Sequence, residues 1–127
     1  AGQAAYERKM MADNPLPRAS GNLFDPPLRA GGRELFTDLM SLPGVRVERI
    51  VSTGQCTPEG EWLDQDWTEW VVLLAGAAAI RLEGEAEARV LRPGDWLTLP
   101  AHLRHRVDWT DAEGATIWLA VHMGETR

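Results

Sequence analysis

The sequence predicts an all-β sandwich or barrel. From Val45 onward, short apolar or alternating runs follow one another, and turns rich in glycine and proline separate them. None of these runs is long enough for a typical helix, and close spacing with such turns is characteristic of all-β proteins. The predicted strands cover residues 45–52, 68–74, 77–83, 86–91, 95–99, 105–110 and 115–123.

The N-terminal part has a different pattern. Residues 1–32 hold four prolines and no periodic apolar pattern, which argues against a long helix or a central strand. We therefore expect an extended N-terminal arm over residues 1–32 and a single barrel domain over residues 33–127. Residues 1–10 lack the apolar core of a signal peptide, and part of them could be a cloning remnant. Residues 33–41 fit either a strand or a single helical turn.

Composition and charge exclude several classes of protein. The 127 residues are 44% hydrophobic and 25% charged, which is typical of one globular domain. A formal net charge of −6, with arginines interleaved among acids, argues against a nucleic-acid-binding protein. No apolar stretch is long enough to span a bilayer. The single cysteine, Cys56, rules out an internal disulfide, favours a cytoplasmic location and is interpreted as a partly buried side chain.

Strand periodicity predicts that one histidine points into the barrel. In the run 105–110, His105 shares a face with Val107 and Trp109, and the side chains of a strand alternate between its two faces. We expect this largely apolar face to lie inward. His122 shares a face with apolar neighbours and is interpreted as a structural residue.

Two charged residues lie on apolar strand faces. Glu69 shares its face with Val71 and Leu73, and Arg49 lies among valines of the run 45–52. Burying such charges is costly unless they are paired, hydrogen-bonded or bound to an ion. One interpretation is that Glu69 and Arg49 pair with each other or with the backbone. The other makes Glu69 a metal ligand or proton carrier and Arg49 the anchor of an anionic ligand.

Two sequence motifs occur in order along the predicted strands. Glu69 is followed by six residues and Gly76, and Gly94 is followed by five residues and Pro100. His105 lies five residues beyond that proline. The pattern resembles the two motifs of the cupin superfamily, G-x5-H-x-H-x3/4-E-x6-G and G-x5-P-x-G-x2-H-x3-N.

The resemblance, which covers about residues 45–123, implies a double-stranded β-helix, or jelly roll. It also implies one divalent transition metal at the mouth of the barrel. In the family, two histidines and the glutamate of the first motif hold this metal together with the second-motif histidine. Glu69 and His105 match two of those four ligands.

The other ligand positions depart from the family pattern. Depending on the spacer, the first-motif histidines fall on Leu63 and Gln65 or on Trp62 and Asp64. Gln65 or Asp64 could supply an oxygen ligand, and His102, in the place of the second-motif glycine, could supply an imidazole. The expected metal ligands are therefore Glu69, His105, His102, Gln65 and Asp64.

Three functions stay open. The first is an enzyme of the oxygenase, isomerase or lyase type that uses zinc, iron, manganese or nickel on a small organic substrate. The second is a non-catalytic or regulatory cupin that binds a small ligand near Arg49, with Trp62 and Trp67 as pocket walls. The third is a structural dimer with a vestigial site. Motifs of serine hydrolases, zincins, P-loop proteins and dinucleotide-binding proteins do not occur.

We predict that the protein is a homodimer in solution. Trp70, Val72 and Leu74 form an apolar row on the face opposite Glu69, and such a row needs cover from the arm or from a second subunit. Size-exclusion chromatography with light scattering should give twice the mass of one chain. A monomer at micromolar concentration would contradict this prediction.

Overall fold

Eight β-strands and no helix make up the part of the chain that the structure describes. The structure is a computed structural model, and it describes residues 19–25 and 32–125. The strands are β1 (Leu35–Leu42), β2 (Gly44–Ser52), β3 (Thr68–Ala75), β4 (Ala78–Leu82), β5 (Arg89–Leu91), β6 (Trp96–Leu99), β7 (His105–Thr110) and β8 (Thr116–Glu125). The all-β prediction is confirmed, and strand β1 decides between the two alternatives for residues 33–41. The described residues include no helix that could span a membrane.

The strands form two antiparallel sheets. The larger sheet has the order β1-β2-β8-β3-β6, and the smaller has the order β5-β4-β7. Apolar side chains from both sheets pack into one buried core, as expected of a jelly roll. The core comprises Val71, Leu73, Ala78, Ile80, Leu82, Leu91, Leu97, Leu99, Trp118 and Ala120.

Strand β3 has the predicted two faces. Glu69, Val71 and Leu73 are buried, while the intervening Trp70 and Val72 are half-buried on the outer side. Because alternate side chains of β3 point inward, the carboxylate of Glu69 is buried on the same face as Val71 and Leu73. The cover of the outer row by the arm or by a second subunit stays a prediction.

A bulge in β7 corrects one predicted orientation. Trp109 was expected to point inward with His105, but its side chain is 42% exposed. Ala79 pairs with Trp109 and Ile80 pairs with Val107, so the intervening residue of β7 has no partner on β4. An extra residue reverses the alternation of the strand, and Trp109 therefore faces outward.

The segment between β2 and β3 runs alongside β7. The Leu63 N–H donates to the His105 carbonyl oxygen at 2.7 Å, and the His105 N–H donates to the Leu63 carbonyl oxygen at 3.1 Å. Further along, the Thr57 N–H donates to the Val107 carbonyl oxygen at 2.9 Å. This pairing brings the first-motif positions next to the second-motif histidine.

The described part of the N-terminal arm contacts the outer face of β2. Arg49 Nη1 lies 3.3–3.4 Å from the backbone carbonyl oxygens of Asn22, Leu23 and Asp25. The remaining arm residues, 1–18 and 26–31, lie outside the described residues.

Gly76 allows β3 and β8 to approach closely. Its φ of +85° is in the left-handed region, and an added Cβ would lie 2.5 Å from Thr116 Oγ1 and 2.8 Å from the Ala115 carbonyl oxygen. The glycine of the E-x6-G motif is therefore required by the backbone and not by ligand chemistry.

We predict that Gly76→Ala lowers the free energy of unfolding by about 2–4 kcal/mol, because it combines backbone strain with overpacking. Gly84→Ala is the matched control, since Gly84 has a φ of +91° but open space around its Cβ position. It should cost about 1 kcal/mol, from strain alone. Urea unfolding measures both values, and equal losses would argue against the close contact with Thr116.

Candidate active site

A cavity of about 360 Å³ lies between the two sheets. Its deeper wall, which we call the apolar floor, consists of Val71, Ile80, Leu99 and Trp118, all almost fully buried. Its exposed edge, which we call the rim, consists of Phe36, Cys56, Pro58 and Leu63. Cys56 was expected to be partly buried and is exposed instead. The volume is within the range of small-molecule sites.

Glu69 projects into this cavity from β3. Its side chain is buried, and Gln65 Nε2 donates a hydrogen bond to Glu69 Oε1 at 3.1 Å. Gln65 itself belongs to the segment before β3 and also lines the cavity. Glu69 does not pair with Arg49, which lies on the other face of the larger sheet. The amide of Gln65 thus orients the carboxylate while leaving its other oxygen open.

His105 reaches the same cavity from β7, in the smaller sheet. Its Nδ1 lies 2.8 Å from the Leu103 carbonyl oxygen, which can only accept a hydrogen bond. Nδ1 therefore carries the proton, and the lone pair is on Nε2. Among the described residues no hydrogen bond involves His105 Nε2, and the His105 side chain is part of the cavity wall.

His122 has both ring nitrogens engaged. Trp67 Nε1–H donates to His122 Nδ1 at 2.8 Å, and His122 Nε2 lies 3.0 Å from Glu48 Oε1. Because an indole N–H can only donate, Nδ1 is the acceptor and the proton is on Nε2. His122 Nε2–H therefore donates to Glu48 Oε1. Its interpretation as a structural residue agrees with this geometry.

Glu48 completes a buried chain of polar groups. Its second oxygen, Oε2, lies 2.7 Å from Arg46 Nη1, which also lies 3.4 Å from Asp38 Oδ1. Burial by itself raises the pKa of Glu48, but the hydrogen bond from His122 and the charge of Arg46 outweigh it. The pKa of Glu48 is lowered below 4.5 as a result, and the carboxylate stays ionised at neutral pH.

Glu48 is a cavity residue that strand periodicity does not reveal. The valines around Arg49 make that face of β2 the more apolar one, whereas Glu48 and Ile50, on the opposite face, line the cavity. The sequence alone carries no signal for Glu48, because the inward face of β2 is identified by its register with β8, where Ala120 pairs with Glu48.

The structure decides between the two spacers for the first motif. Leu63 and Gln65 line the cavity, while Trp62 and Asp64 are not part of its wall. Trp62 instead lies beneath the guanidinium of Arg104, with 5.8 Å between the guanidinium carbon and the ring centroid. The first-motif histidine positions thus correspond to Leu63 and Gln65.

His102 and Asp64 form an exposed pair outside the cavity wall. His102 Nδ1 lies 3.0 Å from Asp64 Oδ1, and both side chains are largely exposed. The backbone of His102 has a φ of +66°, which explains why the family has glycine at this position. Trp67 lies behind His122, and Arg49 contacts the arm, so neither is part of the cavity wall.

Comparison with solved structures identifies the family. A "putative mannose-6-phosphate isomerase" from Ralstonia eutropha JMP134 shares 47% sequence identity with this chain at a TM-score of 0.81, covering 84% of this chain and 99% of that one. A cupin superfamily protein from Desulfitobacterium hafniense has a TM-score of 0.66 at 18% identity, covering 87% and 95%. The chain belongs to the cupin superfamily.

A third cupin neighbour, KdgF from Halomonas sp., agrees in fold. It has a TM-score of 0.61 at 19% identity and covers 79% of this chain and 86% of that one. At that identity the likeness extends to the fold alone. No protein-family model matches this chain, and no curated protein matches it.

Cupins generally bind a metal, but the donor set of this cupin does not fit one. At the two first-motif positions, Leu63 offers hydrocarbon and Gln65 offers an amide whose nitrogen bonds to Glu69. His122 has no free ring nitrogen. Within the described ranges no group of three or more His, Cys, Asp or Glu could hold an ion. Glu69 and His105 remain, with the amide oxygen of Gln65 as a weak third donor, which is too few strong donors for zinc, iron, manganese or nickel.

We predict that Glu48 makes stability depend on pH below 4.5. A carboxyl whose pKa is lower in the folded state stabilises the fold above its unfolded pKa, and this contribution is lost as pH falls through the folded pKa. The free energy of unfolding should therefore fall less steeply with acidification in Glu48→Gln than in wild type.

Urea unfolding between pH 3 and pH 7, roughly the window in which carboxyls titrate, measures this difference. Glu85→Gln is the control, since the hydrogen bond from Arg89 also lowers the pKa of Glu85, but this pair is on the surface. Its effect should be smaller because solvent screens exposed pairs. Equal slopes for wild type and Glu48→Gln would refute the role given to the buried chain.

Proposed function

We propose that this cupin binds a small organic molecule inside its barrel and isomerises it by proton transfer, without a resident metal. The observation that supports this most directly is the open Nε2 lone pair of His105 in the cavity that also holds the Glu69 carboxylate. The two groups come from different sheets, so a ligand between the sheets meets both. Paired groups of this kind are suited to general acid–base catalysis.

The proposed reaction converts an α-hydroxy aldehyde into the corresponding hydroxy ketone. Glu69 removes the proton from the carbon that bears the hydroxyl and returns it to the former carbonyl carbon. His105 Nε2 takes the hydroxyl proton and delivers it to the former carbonyl oxygen. Two protons leave and two return, so the step needs no oxidant, reductant or co-reactant.

The surroundings of both groups support this assignment. The amide of Gln65 holds one carboxylate oxygen, and the Leu103 carbonyl holds the imidazole in the tautomer whose lone pair faces the cavity. The apolar floor keeps water away from a carbanion-like intermediate. An isomerase also agrees with the name of the R. eutropha protein, a "putative mannose-6-phosphate isomerase".

We predict that the protein catalyses deuterium exchange at the α-carbon of hydroxycarbonyl compounds in D2O. Glu69→Gln and His105→Asn should each lower the exchange rate by about a hundredfold or more, because each removes one proton carrier. Proton NMR measures the exchange directly. Glu83→Gln is the control, since Glu83 forms an exposed ion pair with Arg104 on the surface.

Metal analysis, together with the exchange rate after chelation, separates this mechanism from a metal-dependent one. Protein purified without chelator should contain far less than one zinc, iron, manganese or nickel ion per chain, and its exchange rate should survive chelation. A stoichiometric metal that is lost in His105→Asn would overturn the proposal in favour of the metal site. Thermal melting of each variant checks that a lost rate does not reflect unfolding.

A further inference from the structure

We infer that the substrate of the proposed reaction is an uncharged molecule with an apolar portion, and that this cavity rejects phosphate esters. The inference rests on the proposed function and adds the substrate class to it. It follows from the charges of the cavity wall, from the state of its histidines and from its apolar floor.

In the part of the chain that the structure describes, the charged residues of the cavity wall are all acidic. Three carboxylates line it, those of Glu34, Glu48 and Glu69, and no lysine or arginine does so among the described residues. Glu34 accepts a hydrogen bond from Ser52 Oγ at 2.7 Å, which leaves its negative charge in place. Enzymes that bind phosphate esters usually supply arginine, lysine or a helix N-terminus. The described residues contain no helix, so this wall supplies none of the three.

The neighbouring guanidinium groups are committed elsewhere. Arg46 Nη1 pairs with Glu48 and Asp38. Its positive charge therefore balances carboxylates of the protein, one of which is the Glu48 carboxylate of the cavity wall. Arg106 pairs with Asp108 at 2.8 Å. It also donates to three carbonyl oxygens of the segment that leads into the cavity rim, those of Thr57, Pro58 and Glu61. Turning either group toward a phosphate would break these contacts.

The buried histidine cannot supply the missing positive charge. A second proton on His122 would have to occupy Nδ1, and that atom accepts the indole N–H of Trp67 at 2.8 Å. Protonation would place two donors against each other inside the core, where such a clash is costly. In this arrangement His122 therefore adds no cation to the cavity wall.

The floor selects for an apolar portion. Val71, Ile80, Leu99 and Trp118 offer no hydrogen bond to a polyhydroxylated chain that reached them. The polar groups of the cavity, Glu69 and His105 among them, come from the other parts of its wall. A ligand that meets those two groups with a hydroxycarbonyl end would place an aliphatic end on the floor. The expected ligand therefore differs from the phosphate ester in the name of the R. eutropha protein.

Binding of three probes to the wild-type protein tests the inference. The probes are 1-hydroxyhexan-2-one, mannose and mannose 6-phosphate, and isothermal titration calorimetry or ligand-observed NMR measures their dissociation constants. The hydroxyketone should bind at least about tenfold more tightly than mannose 6-phosphate, because the dianion meets only like charges. Mannose separates the effect of the phosphate from that of the sugar.

A variant with a cation at the rim sharpens the test. Leu63→Lys should improve the affinity for mannose 6-phosphate by about tenfold, because it places a positive charge beside the cavity. Leu63→Met is the matched control for altered shape at the same position. No gain in Leu63→Lys over Leu63→Met would show that charge does not govern selection and would overturn the inference.

The outcomes distinguish this inference from the proposed function. If mannose 6-phosphate binds to wild type as tightly as the hydroxyketone, or if neither probe binds at millimolar concentration, the inference is overturned. Binding of the hydroxyketone without deuterium exchange supports the ligand class and refutes the acid–base reaction. Exchange on mannose 6-phosphate alone supports the reaction and refutes the ligand class.

Discussion

The polarity of the barrel interior depends on one hydrogen bond, from the indole of Trp67 to His122. Because the indole can only donate, it places the lone pair of His122 on Nδ1 and the proton on Nε2, where it meets Glu48. Glu48 is then stabilised as a carboxylate with Arg46 on its other oxygen. A buried chain in which every member is satisfied is rigid, and this one removes His122 from any role as base or ligand.

Much of the fold could be predicted because its determinants are local. Alternation along β3 is enough to put Glu69 on one face with Val71 and Leu73, although both faces of the strand are largely apolar. Turn residues mark the strand ends to within a few residues. The spacing of the two motifs resembles that of cupins and so predicted the jelly roll. The structure explains part of that spacing by backbone geometry. Gly76 allows the close approach of Thr116, and His102 takes the left-handed conformation that the family gives to glycine.

The site was less predictable because its determinants are non-local. The bulge that turns Trp109 outward arises from pairing between β4 and β7, which alternation within one strand does not reveal. Glu48 escaped notice because both faces of β2 carry charged residues, and only the pairing with β8 identifies the inward one. Likewise, the choice between Leu63 and Trp62 as a cavity residue depends on the bridge between Leu63 and His105.

The four family ligand positions argue for a change of chemistry on an unchanged framework. The residues at these positions, Leu63, Gln65, Glu69 and His105, all line the cavity. Two of them, Leu63 and Gln65, replace the histidines of the family motif. Leu63 adds hydrocarbon to the rim, and Gln65 donates its amide hydrogen to Glu69, where a metal-binding histidine would have offered a lone pair. A donor at that position competes with a cation for the same carboxylate oxygen. The substitution therefore disfavours an ion between Gln65 and Glu69 and, at the same time, orients Glu69 for proton transfer.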